Sequence, residues 1–169
     1  MAAGNTYVAL ATQTLGSDTS TVTFSSIPST YTDLVVVTSA RCSSTANDIK
    51  LQFNGDSGSN YSYTYLRGES GGASSSRGSN QGAMFLGYSA MSTDTNVWSP
   101  TILSIQNYSN TTTYKTVLSR TNIPSGTTNV AATVGLWRST SAISSITLFP
   151  GAFNFITGST FSLYGIASA

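Results

Sequence analysis

Apolar and polar residues alternate along most of this chain with a period of two. A clear example is the set Ile49, Leu51 and Phe53, which is separated by Lys50 and Gln52. Alternation at this period places the apolar side chains of an extended segment on one face, which is typical of a half-buried β-strand. Clusters of Gly, Asn, Asp, Pro and Ser interrupt the pattern about every 8 to 12 residues, which is the strand spacing of an all-β domain.

The same pattern predicts about ten short strands and no helix. Segment 31–41 contains the continuous apolar run 34–37, which predicts a strand buried on both faces. The Asn-Gly-Asp turn at 54–56 predicts a hairpin, or a somewhat longer loop, before a strand that contains Tyr61. The remaining predicted strands are 21–24, 84–86, 101–108, 114–120, 130–137, 143–149 and 161–166.

Strands of this number without helices indicate an antiparallel β-sandwich, and we expect the jelly-roll type. A length of 169 residues is usual for one domain. We therefore expect a single sandwich domain over residues 16–169, preceded by residues 1–15 as an N-terminal arm or as the first strand. Residues 67–82 contain no apolar side chain larger than alanine, so we expect a long exposed loop there.

Composition narrows the possible functions. The chain contains no histidine, one cysteine and only 8% charged residues. Most catalytic mechanisms need a group that titrates near neutral pH, and histidine is the side chain that does so unperturbed. The six acidic residues show no spacing that singles out a catalytic pair, and the many serines have no histidine base. We therefore expect a protein that is not an enzyme and has no cofactor.

Neither nucleic acid nor a membrane is an expected partner. The formal net charge is +1, and no two of the seven basic residues are adjacent, so no basic patch attracts phosphate. No stretch approaches the roughly 18 apolar residues of a membrane span, and the N-terminus lacks the pattern of a signal peptide. We expect synthesis in the cytoplasm and, because little charge keeps copies apart, association of the protein with other copies of itself.

Two features resemble reactive or metal-binding sites. Residues 54–60 place oxygen-bearing side chains at alternate positions, as a calcium loop does, but Tyr65 occupies the twelfth position, where such a loop needs a bidentate glutamate. We therefore expect these side chains to bind the backbone of a turn, and we assign no metal ligand. Cys42 follows an apolar run, so we expect a buried thiol.

Three tyrosines form a candidate contact surface. Tyr61, Tyr63 and Tyr65 are two residues apart, so they share one face if the segment is a strand. This face could pack on the second sheet, line a subunit contact or stack on sugar rings, since tyrosine combines apolar area with a polar tip.

The N-terminal segment is a second candidate. Residues 2–13 carry Tyr7, Val8 and Leu10 among small polar residues. The segment is either the first strand of the sandwich or an arm that adds a strand to a neighbouring molecule. The candidate interface residues from both segments are Tyr7, Val8, Leu10, Tyr61, Tyr63 and Tyr65.

Three further segments carry a resemblance to known proteins. They are 22–34 (Val-Thr-Phe-Ser-Ser-Ile-Pro-Ser-Thr-Tyr-Thr-Asp-Leu), 51–56 (Leu-Gln-Phe-Asn-Gly-Asp) with 60–62 (Asn-Tyr-Ser), and 158–166 (Gly-Ser-Thr-Phe-Ser-Leu-Tyr-Gly-Ile). In this order they resemble a group of small virion proteins of tailed bacteriophages. The chain is similar to modules of capsid decoration (cement) proteins and of tail or fibre proteins. The similarity extends over most of the chain, and its motifs are structural.

The resemblance implies a β-sandwich that forms homotrimers on the surface of a virion, after synthesis in the host cytoplasm. The chain starts with methionine and shows no coiled-coil heptads or shaft repeats, so we expect the head rather than a fibre. A capsid decoration protein would bind the major capsid protein and stabilise the shell through its binding free energy. The alternative is a tail module that binds a receptor or host-surface glycan through residues 67–82, Trp98 or the tyrosines.

Overall fold

The computed structural model of the chain describes residues 6–44, 48–87, 91–123 and 129–167. These residues contain no helix and form two antiparallel sheets, which confirms the predicted β-sandwich. The twelve strands are β1 (Tyr7–Thr14), β2 (Val22–Phe24), β3 (Asp33–Ala40), β4 (Ile49–Phe53), β5 (Tyr61–Glu69), β6 (Gly72–Gln81), β7 (Met84–Gly87), β8 (Ser99–Gln106), β9 (Lys115–Ile123), β10 (Asn129–Trp137), β11 (Ile146–Pro150) and β12 (Thr160–Ile166).

The two sheets differ in size. The large sheet has eight strands in the order β1-β12-β3-β8-β9-β10-β5-β6, and the small sheet has four in the order β2-β11-β4-β7. If β5, β6, β9 and β10 are set aside, the remaining strands alternate between the sheets along the chain, except at the step from β4 to β7. This alternation favours the jelly-roll type, which stays a prediction.

The hydrophobic core lies between the sheets and uses alternate residues of each strand. Phe53 of β4 and Leu34 and Val36 of β3 are fully buried. The Trp137 ring at the end of β10 contacts the rings of Phe53 and Tyr61, with centroid distances of 5.4 Å and 6.3 Å. Each such burial contributes about 1.5–3 kcal/mol, so this core binds the small sheet firmly to one face of the large one.

Strand β3 corrects one prediction. Leu34 and Val36 are buried, whereas Val37 points to the opposite face and is 37% exposed. The predicted burial on both faces is wrong because the small sheet covers one face of the large sheet, and the other face has no second layer among the described residues. The apolar run of β3 therefore contributes to the core and to an exposed surface.

The turn at Asn54 and Gly55 forms, but it does not join two paired strands. Both residues have positive φ, 53° and 68°, and the Asp56 N–H donates to the Phe53 carbonyl at 2.9 Å, as in a type I′ turn. β4 lies in the small sheet and β5 in the large one. Of the two predicted connections, the longer loop is therefore the one observed, and it crosses between the sheets.

The predicted long loop at 67–82 is wrong. Residues 67–69 complete β5, and residues 72–81 form β6, which pairs with β5 through a turn at Ser70 and Gly71. β6 needs no large apolar side chain, because backbone hydrogen bonds to β5 are sufficient to form a ladder. Its side chains are nevertheless mostly exposed, so the exposure part of the prediction is confirmed.

The N-terminal segment is a strand where it is described. β1 pairs with β12 over residues 7–14 and forms one edge of the large sheet, so the first-strand interpretation is the one observed. Residues 1–5 of the predicted arm lie outside the described residues. Cys42 is fully buried, as predicted.

Gly165 of β12 gives a test of the core packing. A Cβ at this position would meet three ring atoms of Tyr31 at less than van der Waals distance. We predict that Gly165→Ala lowers the free energy of unfolding by about 1–3 kcal/mol, because the ring and the strand must move apart. Gly16→Ala is the control, since nothing lies within 4 Å of the added methyl group. Urea denaturation measures both, and equal effects would contradict the predicted contact.

Candidate interaction surfaces

One face of the large sheet is solvent-exposed across its central strands. We call the outward positions of β8, β9, β10 and β5 the outer face, and these strands place alternate residues there. The outer face consists of Pro100, Ile102, Ser104, Gln106, Thr116, Leu118, Arg120, Asn122, Val130, Ala132, Val134, Leu136, Ser62, Thr64, Leu66 and Gly68.

The outer face is rich in exposed aliphatic side chains. Leu66 is 65% exposed, Val130 60%, Val134 57% and Leu118 50%. The register makes them neighbours, because Leu118 lies opposite Val134 and Leu66 lies opposite Ala132. Antiparallel sheets with a solvated face usually place polar residues outward. An apolar surface of this kind is a candidate interaction site.

The outer face also carries little charge. Arg120 is the one charged side chain among its positions, all of which the structure describes. The other polar positions are filled by serine, threonine, asparagine and glutamine. A partner could cover this surface without burying many charged groups, and burial of unpaired charge is a main cost of association.

The three predicted tyrosines of β5 do share a face, and it is the face turned toward the small sheet. Tyr61 is fully buried. Its hydroxyl accepts from the Phe53 N–H at 2.9 Å and donates to the Asp56 carbonyl at 3.1 Å, and burial raises its pKa to about 12. Tyr61 therefore belongs to the core, and its assignment to an interface is corrected. Packing on the second sheet is the alternative that the structure contains.

Tyr63 and Tyr65 are half-buried against the small sheet. Both rings contact Phe85 of β7, with centroid distances of 5.2 Å and 5.3 Å. Burial raises the pKa of Tyr63. Tyr63 and Phe85 line a cleft of about 460 Å³ between β5 and the small sheet, which we call the aromatic cleft. Its other lining residues are Asp48, Lys50, Gln52, Ser57, Gln81, Gly82, Ala83 and Phe149.

The N-terminal candidates differ in their exposure. Tyr7 is 61% exposed and lies edge-on to Tyr164, with ring centroids 6.4 Å apart. Val8 is half-buried, and Leu10 packs against the core. Tyr7 therefore remains a surface candidate, whereas the Leu10 side chain serves the sandwich itself.

The Asp56 carboxylate in the loop after β4 is used within the protein, but the expected partner, the backbone of the turn, supplies only one of its three contacts. The Asp56 carboxylate accepts from the Trp137 indole N–H at 2.7 Å, the Asn60 side-chain amide at 2.9 Å and the Gly58 N–H at 2.9 Å. Burial acts to raise the pKa of Asp56, but these three hydrogen bonds together hold it below its usual value. In the described part of the chain, no three His, Cys, Asp or Glu residues are grouped in a way that could hold a metal ion.

Lys115 is a buried charge that the sequence reasoning missed. Its side chain is fully buried, and the Nζ donates to the carbonyls of Thr113 at 2.8 Å and Thr140 at 3.3 Å. Burial lowers its pKa. The signal was available, because Lys115 has the same parity as the inward-facing Val117 in an alternating strand. Its two carbonyl partners make it a structural link between β9 and the segment after β10.

Comparisons with known proteins identify no family. No family model and no curated protein matches the sequence. Among solved structures, the chain is similar to a marine PL-14 alginate lyase from Aplysia kurodai, with 11% identity, a TM-score of 0.26, and coverage of 95% of this chain and 80% of that chain. It is also similar to an exo-inulinase from Aspergillus awamori, with 12% identity, a TM-score of 0.23, and coverage of 96% of this chain but 29% of that chain. These TM-scores are too low for either similarity to bear on function.

A helix with the length and apolar character needed to cross a membrane does not occur in the described ranges.

The Asp56 hydrogen bonds predict a specific pH dependence. A carboxyl group whose pKa is depressed in the folded state contributes stability above its usual pKa of 3.8, and this contribution is lost as the pH falls through the depressed value. We predict that Asp56→Asn lowers the free energy of unfolding at pH 7 by about 1–3 kcal/mol and that the difference from wild type shrinks below pH 3.8. Denaturation at a series of pH values measures this.

The matched control is Asp94→Asn in an exposed loop. The Asp94 carboxylate accepts from the Asn96 N–H at 3.0 Å, and its removal leaves the Asp56 contacts intact. This variant should keep the acid dependence of the wild type. If the Asp56→Asn difference stayed constant with pH, the carboxylate of Asp56 would not be responsible for the acid-sensitive stability.

Proposed function

We propose that this protein is a non-enzymatic structural component of a tailed-phage virion, and specifically a capsid decoration protein on the outer surface of the head. The observation that carries the proposal is the outer face, which is broad, nearly uncharged and rich in exposed aliphatic side chains. Such a surface suits a protein that acts by contact with other proteins. The kind of particle, a phage virion, comes from the resemblance of segments 22–34, 51–56 with 60–62, and 158–166 to virion proteins of tailed phages.

The mechanism requires binding and no chemical step. A ligand that binds the assembled state stabilises it by RT ln(1 + [L]/Kd), which is about 2.7 kcal/mol per site when the ligand concentration is 100 times Kd. Many copies on one shell add their contributions and oppose its expansion. The sandwich suits this role because its core fixes the large sheet as a rigid support for the outer face.

The proposed partners are other copies of the chain and the major capsid protein. Three copies is the number that the resemblance implies. The small net charge of +1 favours such assembly, because little electrostatic repulsion separates the copies.

Sedimentation with purified phage parts tests the proposal. We predict that the protein sediments with emptied, tail-less heads of the phage that encodes it, and that electron microscopy of the intact particle places its density on the head surface. Isolated tails are the control and should not retain the protein. Heads that carry the protein should also release their DNA at a higher temperature than heads without it. Density confined to the tail would contradict the capsid role.

A second candidate function is glycan binding at a phage tail, and the aromatic cleft favours it. Clefts of roughly 300–1,000 Å³ with aromatic walls and a few polar groups are typical small-ligand sites. The Tyr63 hydroxyl and the Lys50 ammonium line the cleft, and neither has a hydrogen-bond or ion-pair partner among the described residues. These groups could bind sugar hydroxyls beside an aromatic ring.

A glycan array distinguishes the two candidates. A tail module would bind a defined glycan, and Lys50→Ala would weaken that binding while Tyr7→Ala, on the distant strand β1, would not. A capsid decoration protein would show no glycan dependence and would still attach to heads after Lys50→Ala.

A further inference from the structure

We infer that a groove over residues 62–68 of β5, which we call the β5 groove, binds an acidic, aliphatic surface of a different protein. The inference rests on the proposed function in one respect, that the outer face is covered by another virion protein. It adds the chemistry by which that protein is recognised. The shape of the groove, the arginines beside it and the positions of the carboxylates in this chain carry the inference.

The β5 groove consists of two hollows in line, between β10 and β6. The first has a volume of about 530 Å³, and Leu66 and Ala132 are among its lining residues. The second has a volume of about 290 Å³, and Thr64 and Val134 are among its lining residues. Thr64 and Leu66 are successive outward positions of β5, so the hollows adjoin. The groove is about 20 Å long and roughly 10 Å wide, from the spacing of residues and strands.

The surface in and around the groove is aliphatic and large enough for a protein partner. Leu66 is 65% exposed, Val130 and Val134 of β10 are 60% and 57% exposed, and Leu118 of β9 is 50% exposed. The five strands from β8 to β6 cover roughly 600 Å² in projection. Each partner in a standard protein interface contributes about 800 Å², so the exposed area fits a protein surface better than one small ligand.

Two arginines flank the β5 groove. Arg120 of β9 lies opposite Ala132, and Arg77 of β6 lies opposite Thr64, so both share the outward side of the sheet. Arg77 also lines the second hollow. Both side chains are exposed, and neither has a hydrogen-bond or ion-pair partner among the described residues. The groove therefore has an unpaired positive charge on each side.

The spacing of the arginines specifies the partner further. β9 and β6 are three strands apart, and the two positions are offset by two residues, so their Cα atoms are roughly 16 Å apart. A guanidinium group binds a carboxylate through two parallel hydrogen bonds, and arginine is enriched at protein interfaces. A surface with aliphatic side chains between two carboxylates at about this separation would fill the groove and pair both arginines.

The chain provides no carboxylate for these arginines. None of the outward positions of β8, β9, β10, β5 and β6 is acidic, and the structure describes all of them. Glu69 has the parity of the inward-facing residues of β5 and pairs with Arg67 at 2.7 Å. Asp33 of β3 shares the outward side, but it accepts from the Asn107 N–H at 2.8 Å. The register places its Cα roughly 16 Å from that of Arg120.

A second copy of this chain and a nucleic acid fit the β5 groove less well. Five of the six carboxylates accept a hydrogen bond within the chain, namely those of Asp18, Asp33, Asp56, Glu69 and Asp94. The sixth, Asp48, lines the aromatic cleft. The surface between the arginines is aliphatic and offers nothing to a phosphate backbone. The copies of the proposed trimer would therefore meet through other surfaces.

NMR titration of the full chain with a short peptide tests the inference. The probe is acetyl-Ser-Glu-Ser-Leu-Ser-Glu-Ser-amide, whose extended backbone places the leucine and both carboxylates on one side, with the two acidic residues about 13 Å apart. We predict that it shifts the amide signals of Leu66, Ala132 and Val134. A peptide with glutamine in place of both glutamates should bind about fivefold more weakly or worse, because two exposed ion pairs are lost.

Variants of the chain assign the effect to the two arginines. Arg77→Ser with Arg120→Ser should weaken binding of the acidic peptide by the same factor. Arg77→Glu with Arg120→Glu should instead bind a peptide with lysine in place of both glutamates. Lys50→Ser is the matched control, since Lys50 is also a cation without a partner among the described residues but lines the aromatic cleft. It should leave peptide binding unchanged, and circular dichroism verifies that all variants fold.

Three results would overturn the inference. The first is that the signals of Leu66, Ala132 and Val134 do not move at about 10 mM peptide. The second is that a DNA duplex, and not the acidic peptide, shifts them. The third is that Arg77→Ser with Arg120→Ser changes the number of copies in the assembly, measured by equilibrium sedimentation, because the groove would then lie between copies.

Attachment to emptied heads separates this inference from the proposed function. Heads that bind the wild type about fivefold more tightly than the double serine variant would support both. Arginine-dependent peptide binding without attachment to heads would support the acidic docking surface and contradict the proposed function. Heads that bind the wild type and the double serine variant equally would overturn the inference and leave the proposed function in place.

Discussion

The structure depends on the unequal size of its two sheets. Four strands cover one face of an eight-stranded sheet, and the core between them holds the assembly together through residues such as Phe53 and Trp137. Among the described residues, a second layer removes apolar side chains from water on that face of the large sheet only. The other face of the large sheet still carries aliphatic side chains at Leu66, Leu118 and Val134. Its apolar area remains available for association with another protein surface.

The rigid core and the outer face are connected through individual strands. In β9 and β10, inward residues such as Val117 and Trp137 pack in the core, while the alternate residues Leu118 and Val134 point outward. Each strand therefore fixes the position of its outer residues with the same backbone that supports the core. A surface fixed in this way loses little conformational entropy when a partner binds, which favours a contact role over one that depends on loop movement.

The sequence predicts the local features well because they depend on nearest neighbours. Alternation predicts most of the strands and the shared face of Tyr61 and Tyr63, and an apolar run predicts the burial of Cys42. The predictions that were wrong concern how segments far apart in the sequence are arranged relative to each other. No pattern of neighbouring residues shows that β4 and β5 belong to different sheets, or that the second face of β3 is uncovered. β6 was missed because a ladder of backbone hydrogen bonds can form without large side chains, and the outer face could be recognised only once strand order was known.

The central claim is that the outer face is covered by protein when the molecule is assembled. The most direct measurement is covalent labelling with a small carbene probe, followed by mass spectrometry, on the dilute protein and on the assembled particle. The account predicts that labelling at Leu66, Leu118 and Val134 falls several-fold on assembly, while Phe153, which is 60% exposed away from this face, keeps its labelling. Equal labelling of the outer face in both states would contradict the account.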